Sequence, residues 1–120
     1  MIFGSAKDIP AGKKMLKLTG DKLINLCGKT SIEDVIDLLG ACKKVITNDS
    51  GLMHIAAAVG SKVHAIYGSS SPDYTPPLTE NKQIYYSSED CSPCFKRTCK
   101  FKHYNCLHKI DPEQIIAKAL

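Results

Sequence analysis

Short apolar runs alternate along this chain with longer segments in which apolar residues recur every three or four positions. The short runs predict strands at residues 1–3, 22–27, 44–47, 63–67 and 83–87. The longer segments predict helices at residues 8–18, 32–42, 51–59 and 112–120. Strands that alternate with helices over short connections predict an α/β fold, in which helices cover both faces of a Rossmann-like parallel sheet.

The predicted helix ends carry residues that commonly begin or end helices. Pro10 stands in a first turn, where its missing N–H group does no harm. Thr30 and Glu33 have capping-box spacing, which predicts Thr30 as the N-cap of the second helix. Gly60 follows the third helix, and Asp111 stands where it can cap the last one.

Four polar, glycine-bearing turns follow predicted strands, at residues 4–5, 28–30, 48–51 and 68–71. Ligands of open parallel sheets bind beyond the carboxyl ends of the strands. We therefore expect these turns to lie on one rim and to form a binding crevice.

The turn at residues 48–54 has the strongest chemical character of the four. A β-branched run ends there and a helix begins at once, so backbone N–H groups and the positive end of the helix dipole meet at one spot. Such a spot suits a phosphate or diphosphate. Asp49 or Ser50 can cap the helix, while Gly51 and Leu52 keep their N–H groups for a ligand and His54 projects from the same turn. An ordinary N-cap beside a half-buried histidine is the alternative interpretation.

Length and composition predict a single domain with one core, since the chain has 120 residues of which 43% are hydrophobic. Residues 1–68 form the predicted βα core, residues 69–110 a loop region with one short strand, and residues 111–120 the final helix. No apolar run reaches the ~20 residues of a membrane span, and no secretory leader is recognisable, so we expect a cytoplasmic location. The chain opens inside a predicted strand, which suggests the second half of a larger protein.

Residues 91–109 combine four cysteines with five cations and contain no acidic residue. The spacing of Cys91, Cys94, Cys99 and Cys106 is compatible with a structural zinc site, in which His103 or His108 could replace one thiolate. A reduced structural loop without metal is the favoured interpretation, and a disulfide is the least favoured in a reducing compartment. The positive charge leaves one alternative function open, a zinc-stabilised module that binds nucleic acid through residues 91–109.

Several runs resemble the glycosyltransferase family of ADP-heptose:lipopolysaccharide heptosyltransferases. They are TNDSGLMHIAAA at residues 47–58, AIYG at 65–68, SPD at 71–73, FGSAKD at 3–8, GKTS at 28–31 and the cysteine-bearing runs at 91–99 and 103–107. The resemblance covers essentially the whole chain. It implies the carboxy-terminal, donor-binding half of a GT-B enzyme, in which two Rossmann-like domains face a cleft.

The resemblance also implies a reaction and a set of roles. Heptose passes from ADP-heptose to the lipopolysaccharide inner core with inversion, no metal cofactor is required, and contact with the membrane is at most peripheral. Asp49, Ser50, Gly51, Leu52 and His54 would hold the donor diphosphate, and Ser5 and Thr30 would flank the nucleoside. The catalytic base would lie in an amino-terminal domain, so no catalytic residue is expected in this chain and turnover by it alone is not expected.

Overall fold

A computed structural model describes residues 1–20 and 22–120. The described chain divides into two compact units, Met1–Leu38 and Leu39–Leu120. The single-domain organisation expected from length stays a prediction.

The first unit contains a parallel contact between Ile2 and Asn25, made by one bridge instead of two full strands. The Ile2 N–H donates to the Ile24 carbonyl at 2.8 Å, and the Leu26 N–H donates to the Ile2 carbonyl at 2.9 Å. The predicted strands at residues 1–3 and 22–27 are therefore wrong in extent.

The side chain of Asn25 gives a physical reason for the short pairing. Its Oδ1 accepts from the N–H of Cys27 at 3.1 Å, so the chain turns after Asn25 where a strand would stay extended. Gly28 then takes a left-handed conformation with φ 69°, and its N–H donates to the Gly4 carbonyl at 2.9 Å. This bond brings together the two predicted turns of this unit.

Two α-helices begin in the first unit. A 3-10 turn at Ala6–Asp8 leads into α1 (Ile9–Thr19), with Pro10 in its first turn as predicted and Gly20 in the left-handed conformation at its end. Helix α2 (Ile32–Ala41) is capped one residue later than predicted.

The capping box of α2 joins Ser31 and Asp34 in place of Thr30 and Glu33. The Asp34 N–H donates to Ser31 Oγ at 3.1 Å, and the Ser31 N–H donates to Asp34 Oδ2 at 2.8 Å. Because the first helical residue is Ile32, Ser31 holds the N-cap position and Asp34 the third helical position.

The second unit is built on a parallel sheet of three strands in the order β1 (Lys44–Asn48), β2 (Lys62–Tyr67) and β3 (Lys82–Tyr86). In the register, Lys44 pairs with Lys62, and Val63 pairs with Lys82. Strands β1, β2 and β3 match the predicted strands to within one or two residues. The parallel sheet, with a helix between its first two strands, confirms the predicted α/β class.

Strand β2 forms the centre of the core of this unit. Val63, His64, Ala65 and Tyr67 are all fully buried, as expected for a central parallel strand that is covered on both faces. His64 Nδ1 lies 3.0 Å from the Tyr85 hydroxyl, and burial lowers the pKa of the imidazole, with further lowering by nearby lysines.

Three helices complete the second unit. Helix α3 (Gly51–Ala58) contacts β1 and β2, α4 (Asn105–His108) is a single short turn, and α5 (Pro112–Ala119) contacts β1. The Asp111 carboxylate accepts from the Glu113 N–H at 2.9 Å, which confirms the predicted cap of the last helix. Across the described residues, none of the helices is long and apolar enough to cross a membrane.

Candidate functional site

The donor-site candidate lies where β1 ends and α3 begins. Asn48 closes the strand, Asp49 and Ser50 form the turn, and Gly51 opens the helix. Strand β2 runs parallel beside β1, so the segment at residues 68–71 leaves the sheet at the same edge. The structure thus brings together two of the four predicted turns at the carboxyl ends of neighbouring strands.

Helix α3 buries one face and exposes the other. Met53, Ala56 and Ala57 are buried against the sheet, while Gly51 and His54 are exposed. Gly51 and His54 are three positions apart, so they share the solvent face of the first turn. A Cβ atom added to Gly51 would meet no described atom within 4 Å. The predicted anion site is therefore open on the side where a residue 51 side chain would project.

Neither side chain that was expected to cap α3 does so in the described structure. Ser50 has an extended backbone, with φ −159° and ψ 167°, and its hydroxyl makes no cap hydrogen bond. Its carbonyl accepts instead from the Met53 N–H at 3.1 Å. The prediction of a side-chain cap is wrong, because the Asp49 carboxylate has a different partner.

That partner is Thr75, in the loop that follows β2. Thr75 Oγ1 donates to Asp49 Oδ2 at 2.8 Å, which joins the two loops at the sheet edge. The Thr75 carbonyl in turn accepts from the buried hydroxyl of Tyr67 at 2.7 Å. Burial raises the pKa of Tyr67 to about 12, and the charge of Asp49 adds to the effect. The phenol therefore remains a neutral donor throughout the physiological range.

The backbone around Ser71 shapes the loop that carries Thr75. Ser71 is buried, and its carbonyl accepts from the N–H groups of Tyr74 and Thr75, both at 3.2 Å. Its hydroxyl accepts from the Asp73 N–H at 3.2 Å. Residues 71–75 thus form a compact turn that holds Thr75 against Asp49. Sequence reasoning missed Thr75, because nothing local to it signals a contact with residue 49.

The two candidate nucleoside residues, Ser5 and Thr30, lie in the first unit. Both the N–H and the hydroxyl of Ser5 donate to Asp8 Oδ2 at 2.7 Å, and these bonds lower the pKa of the Asp8 carboxyl. Thr30 is half-buried just before the cap of α2. Their roles toward a ligand stay predictions.

The cysteine-bearing segment, residues 91–109, contacts the residues that follow the end of β2. The Phe95 N–H donates to the Ser69 carbonyl at 2.8 Å, and Leu107 packs so closely on Gly68 that a Cβ atom there would lie 2.8 Å from its side chain. A cavity of about 470 Å³ opens within this segment. All four clustered cysteines line it, together with cations, aromatic rings and His103.

The clustered thiols differ in their electrostatic surroundings. Backbone N–H groups directed at the Cys99 sulfur, foremost that of Tyr104, lower the pKa of this thiol. Burial raises the pKa of Cys106, and the neighbouring Cys91, Cys94 and Cys99 raise it further. No disulfide links the cysteines in the described part of the chain. Over the same residues, no three metal-binding side chains form a group that could hold an ion. The zinc alternative stays untested by these observations.

Comparison with known proteins adds independent evidence. The model of glycosyltransferase family 9 (heptosyltransferase) matches residues 1–105. Lipooligosaccharide heptosyltransferase 2 of Haemophilus influenzae is 48% identical over 87 residues, which are 69% of this chain and 25% of that protein. Lipooligosaccharide heptosyltransferase 2 of Campylobacter jejuni is 36% identical over 107 residues, or 88% of this chain and 34% of that protein. The chain thus spans about a quarter to a third of the length of these curated relatives.

Two solved structures share the fold. ADP-heptose lps heptosyltransferase II of Escherichia coli superposes with a TM-score of 0.69 at 34% identity, over 98% of this chain and 36% of that chain. A family 9 glycosyl transferase from Veillonella parvula gives a TM-score of 0.78 at 28% identity, over 98% of this chain and 33% of that chain. Family model, relatives and structures agree with the resemblance seen in the sequence. The chain belongs to glycosyltransferase family 9, the heptosyltransferases.

Proposed function

We propose that this chain binds the nucleotide-sugar donor of a heptosyltransferase, ADP-heptose, and holds its diphosphate at the N-terminus of α3. The observation that carries the proposal is the uncapped start of this helix at the carboxyl edge of the sheet. The dipole of α3 and its first N–H groups favour a negative group there. Asp49, Ser50, Gly51, Leu52 and His54 are the residues assigned to this contact, with the Asp49 carboxylate itself held by Thr75.

The same arrangement supports a role in the chemical step. In heptose transfer with inversion, a hydroxyl of the acceptor attacks the anomeric carbon, and ADP leaves with the electrons of the broken bond. Negative charge therefore grows on the diphosphate as the reaction proceeds. Preorganised donors at such a position contribute roughly 3–4 kcal/mol each to transition-state stabilisation. The N–H groups of α3 and the ring of His54 would serve as these donors.

Under this proposal, binding of the donor and activation of the acceptor belong to different parts of the enzyme. This chain would supply the donor site, with Ser5 and Thr30 beside the nucleoside, and would need no metal cofactor to stabilise the leaving group. The catalytic base and the site for a lipopolysaccharide acceptor would belong to the part of its relatives that this chain does not span. We also propose that transfer takes place in the cytoplasm, at the inner face of the inner membrane.

Calorimetric titration with ADP and with ADP-heptose tests the proposal. We expect binding that is weak, because residues 1–120 would contribute only the donor side of the cleft. The affinity should fall about tenfold in His54→Ala, as loss of one charge-assisted hydrogen bond predicts. His108→Ala removes another exposed histidine from this unit and should bind normally. A folded sample that fails to bind millimolar ADP, or a His54→Ala variant with unchanged affinity, would contradict the proposal.

A further inference from the structure

The segment of residues 91–109, called the basic loop from here on, carries positive charge that the described residues leave largely unpaired. Lys109 Nζ pairs with Glu89 Oε2 at 2.9 Å. The other four cations form no salt bridge within the described residues and are exposed; they are Lys96, Arg97, Lys100 and Lys102. Since the basic loop contains no acidic residue, this charge is available to an anionic partner.

Large apolar side chains stand exposed among these cations. The exposed fraction is 56% for Phe95, 61% for Phe101 and 47% for Leu107. Lys100 Nζ lies 5.9 Å from the centre of the Phe101 ring, so charge and aromatic surface are presented together. A small soluble anion would engage the cations and leave the rings in water.

The combination matches the chemistry of a lipid bilayer surface. Cations are attracted to anionic headgroups, and aromatic and aliphatic side chains enter the boundary between headgroups and acyl chains. We propose that the basic loop docks this protein on a membrane surface that contains anionic phospholipids. The inference rests on the proposed function in one respect, because an acceptor that carries a lipid lies in a membrane.

Because of where the basic loop lies, docking would also orient the proposed donor site relative to the membrane. The basic loop is held to the end of β2 by the bond from Phe95 to Ser69 and by the packing of Leu107 on Gly68. That end of β2 belongs to the same sheet edge as the start of α3. Docking through the basic loop would therefore bring the donor-site edge toward the lipid surface.

Sedimentation with lipid vesicles tests the inference on the full 120-residue chain. We expect binding to vesicles of mixed phosphatidylglycerol and phosphatidylcholine, and little binding to phosphatidylcholine alone. Each cation near an anionic surface contributes about fivefold to partitioning, so reversal of two charges in Lys96→Glu/Arg97→Glu should lower it at least about 25-fold. Lys13→Glu/Lys14→Glu, which makes the same charge change on exposed positions of α1, should bind nearly as well as the unaltered chain.

A fluorescent reporter gives a second measurement. The chain has no tryptophan, so Phe101→Trp introduces a single probe. We expect its emission to shift to shorter wavelength with anionic vesicles and not with zwitterionic ones. An unchanged emission, or equal binding by the two charge-reversed variants, overturns the proposal. So does displacement from vesicles by an oligonucleotide at equal phosphate concentration, which would favour a nucleic-acid surface.

ADP titration of the same samples separates this inference from the proposed function. Circular dichroism first establishes that each variant is folded. Loss of vesicle binding with ADP binding retained is the expected result for Lys96→Glu/Arg97→Glu. An unaltered chain that binds ADP but not anionic vesicles refutes membrane docking alone, whereas one that binds vesicles but not ADP refutes the donor site alone.

Discussion

At the scale of single residues, the contact between Thr75 and Asp49 has the clearest consequence for binding. The Asp49 carboxylate stands beside a helix N-terminus, where a carboxylate would normally cap the N–H groups. Its bond to Thr75 at 2.8 Å holds it in another direction. The helix start is thereby left free of the protein's own acid, as the proposed binding of a diphosphate requires.

We predict that Thr75→Val weakens ADP binding about three- to tenfold. Without the Thr75 hydroxyl, the carboxylate is released and can compete for the first N–H groups of α3, and caps of this kind contribute about 0.5–2 kcal/mol. The free energy of unfolding should change by less than about 1 kcal/mol, because the lost bond is exposed. Titration calorimetry and urea denaturation measure the two quantities. Thr98→Val, at another exposed threonine, is the matched control, and an affinity equal to that of the control would exclude this role.

At the scale of elements, α3 has a glycine at its start and another just beyond its end, and the two differ in backbone conformation. Gly60 has φ 89°, which is unfavourable for any residue with a side chain, whereas Gly51 is the first helical residue. A Cβ atom at either position would meet no described atom within 4 Å. If alanine substitutions at Gly51 and Gly60 change the free energy of unfolding by different amounts, the cause is therefore backbone conformation and not a steric clash.

We predict that Gly60→Ala lowers the free energy of unfolding by about 1–2 kcal/mol, the cost of left-handed backbone for an L-residue. Gly51→Ala should leave stability within about 0.5 kcal/mol, since alanine is favourable in a helix. Urea denaturation of the two variants makes the comparison. If both lost the same stability, the assignment of the left-handed conformation to Gly60 would be wrong.

The helices and strands also show which structural features could be predicted from the sequence. Helix α3 could be placed from apolar spacing and Gly60, and the cap of α5 from Asp111, because these signals are local. The cap of α2 was misplaced by one residue, because Thr30 and Ser31 are both followed three positions later by an acid. The strand at residues 22–27 was overextended, because the turn-forming bond of the Asn25 side chain is not visible in an apolar pattern.

In the candidate site, too, features set by neighbouring residues could be predicted from the sequence, and contacts between distant residues could not. The start of α3 and the place of His54 in its first turn were predicted from one short run of residues, whereas the exposure of His54 is seen only in the structure. The contact of Thr75 with Asp49 was not, since it joins two loops that only the pairing of β1 with β2 brings together. The contacts of the basic loop with Gly68 and Ser69 could not be predicted from the sequence for the same reason.

At the scale of the whole molecule, buried tyrosines link stability to alkaline pH. The unfolded chain releases the proton of Tyr67 near the ordinary pKa of about 10, whereas the folded chain keeps it until about 12. Between these values the unfolded state binds fewer protons, so the free energy of unfolding falls as pH rises. Burial also raises the pKa of Tyr85, which adds to the same trend.

We predict that Tyr67→Phe reduces this alkaline loss of stability by about 1–3 kcal/mol between pH 10 and 12. At pH 7 the variant should be less stable by about 1 kcal/mol, because the Thr75 carbonyl loses its donor. Guanidinium denaturation at pH 7, 10 and 11.5 gives the comparison. Tyr74→Phe, at an exposed position, should follow the unaltered protein; a Tyr67→Phe variant that did the same would refute the linkage.

The parallel pairing of β1 with β2 also determines when the proposed donor site can exist during folding. Parallel strands cannot meet through a tight hairpin, so their contacts require closure of a long crossover that contains α3. Asp49 and Thr75 reach each other only after that closure. A nucleotide bound at the start of α3, as proposed above, would therefore stabilise the folded sheet as a whole and not merely order a loop.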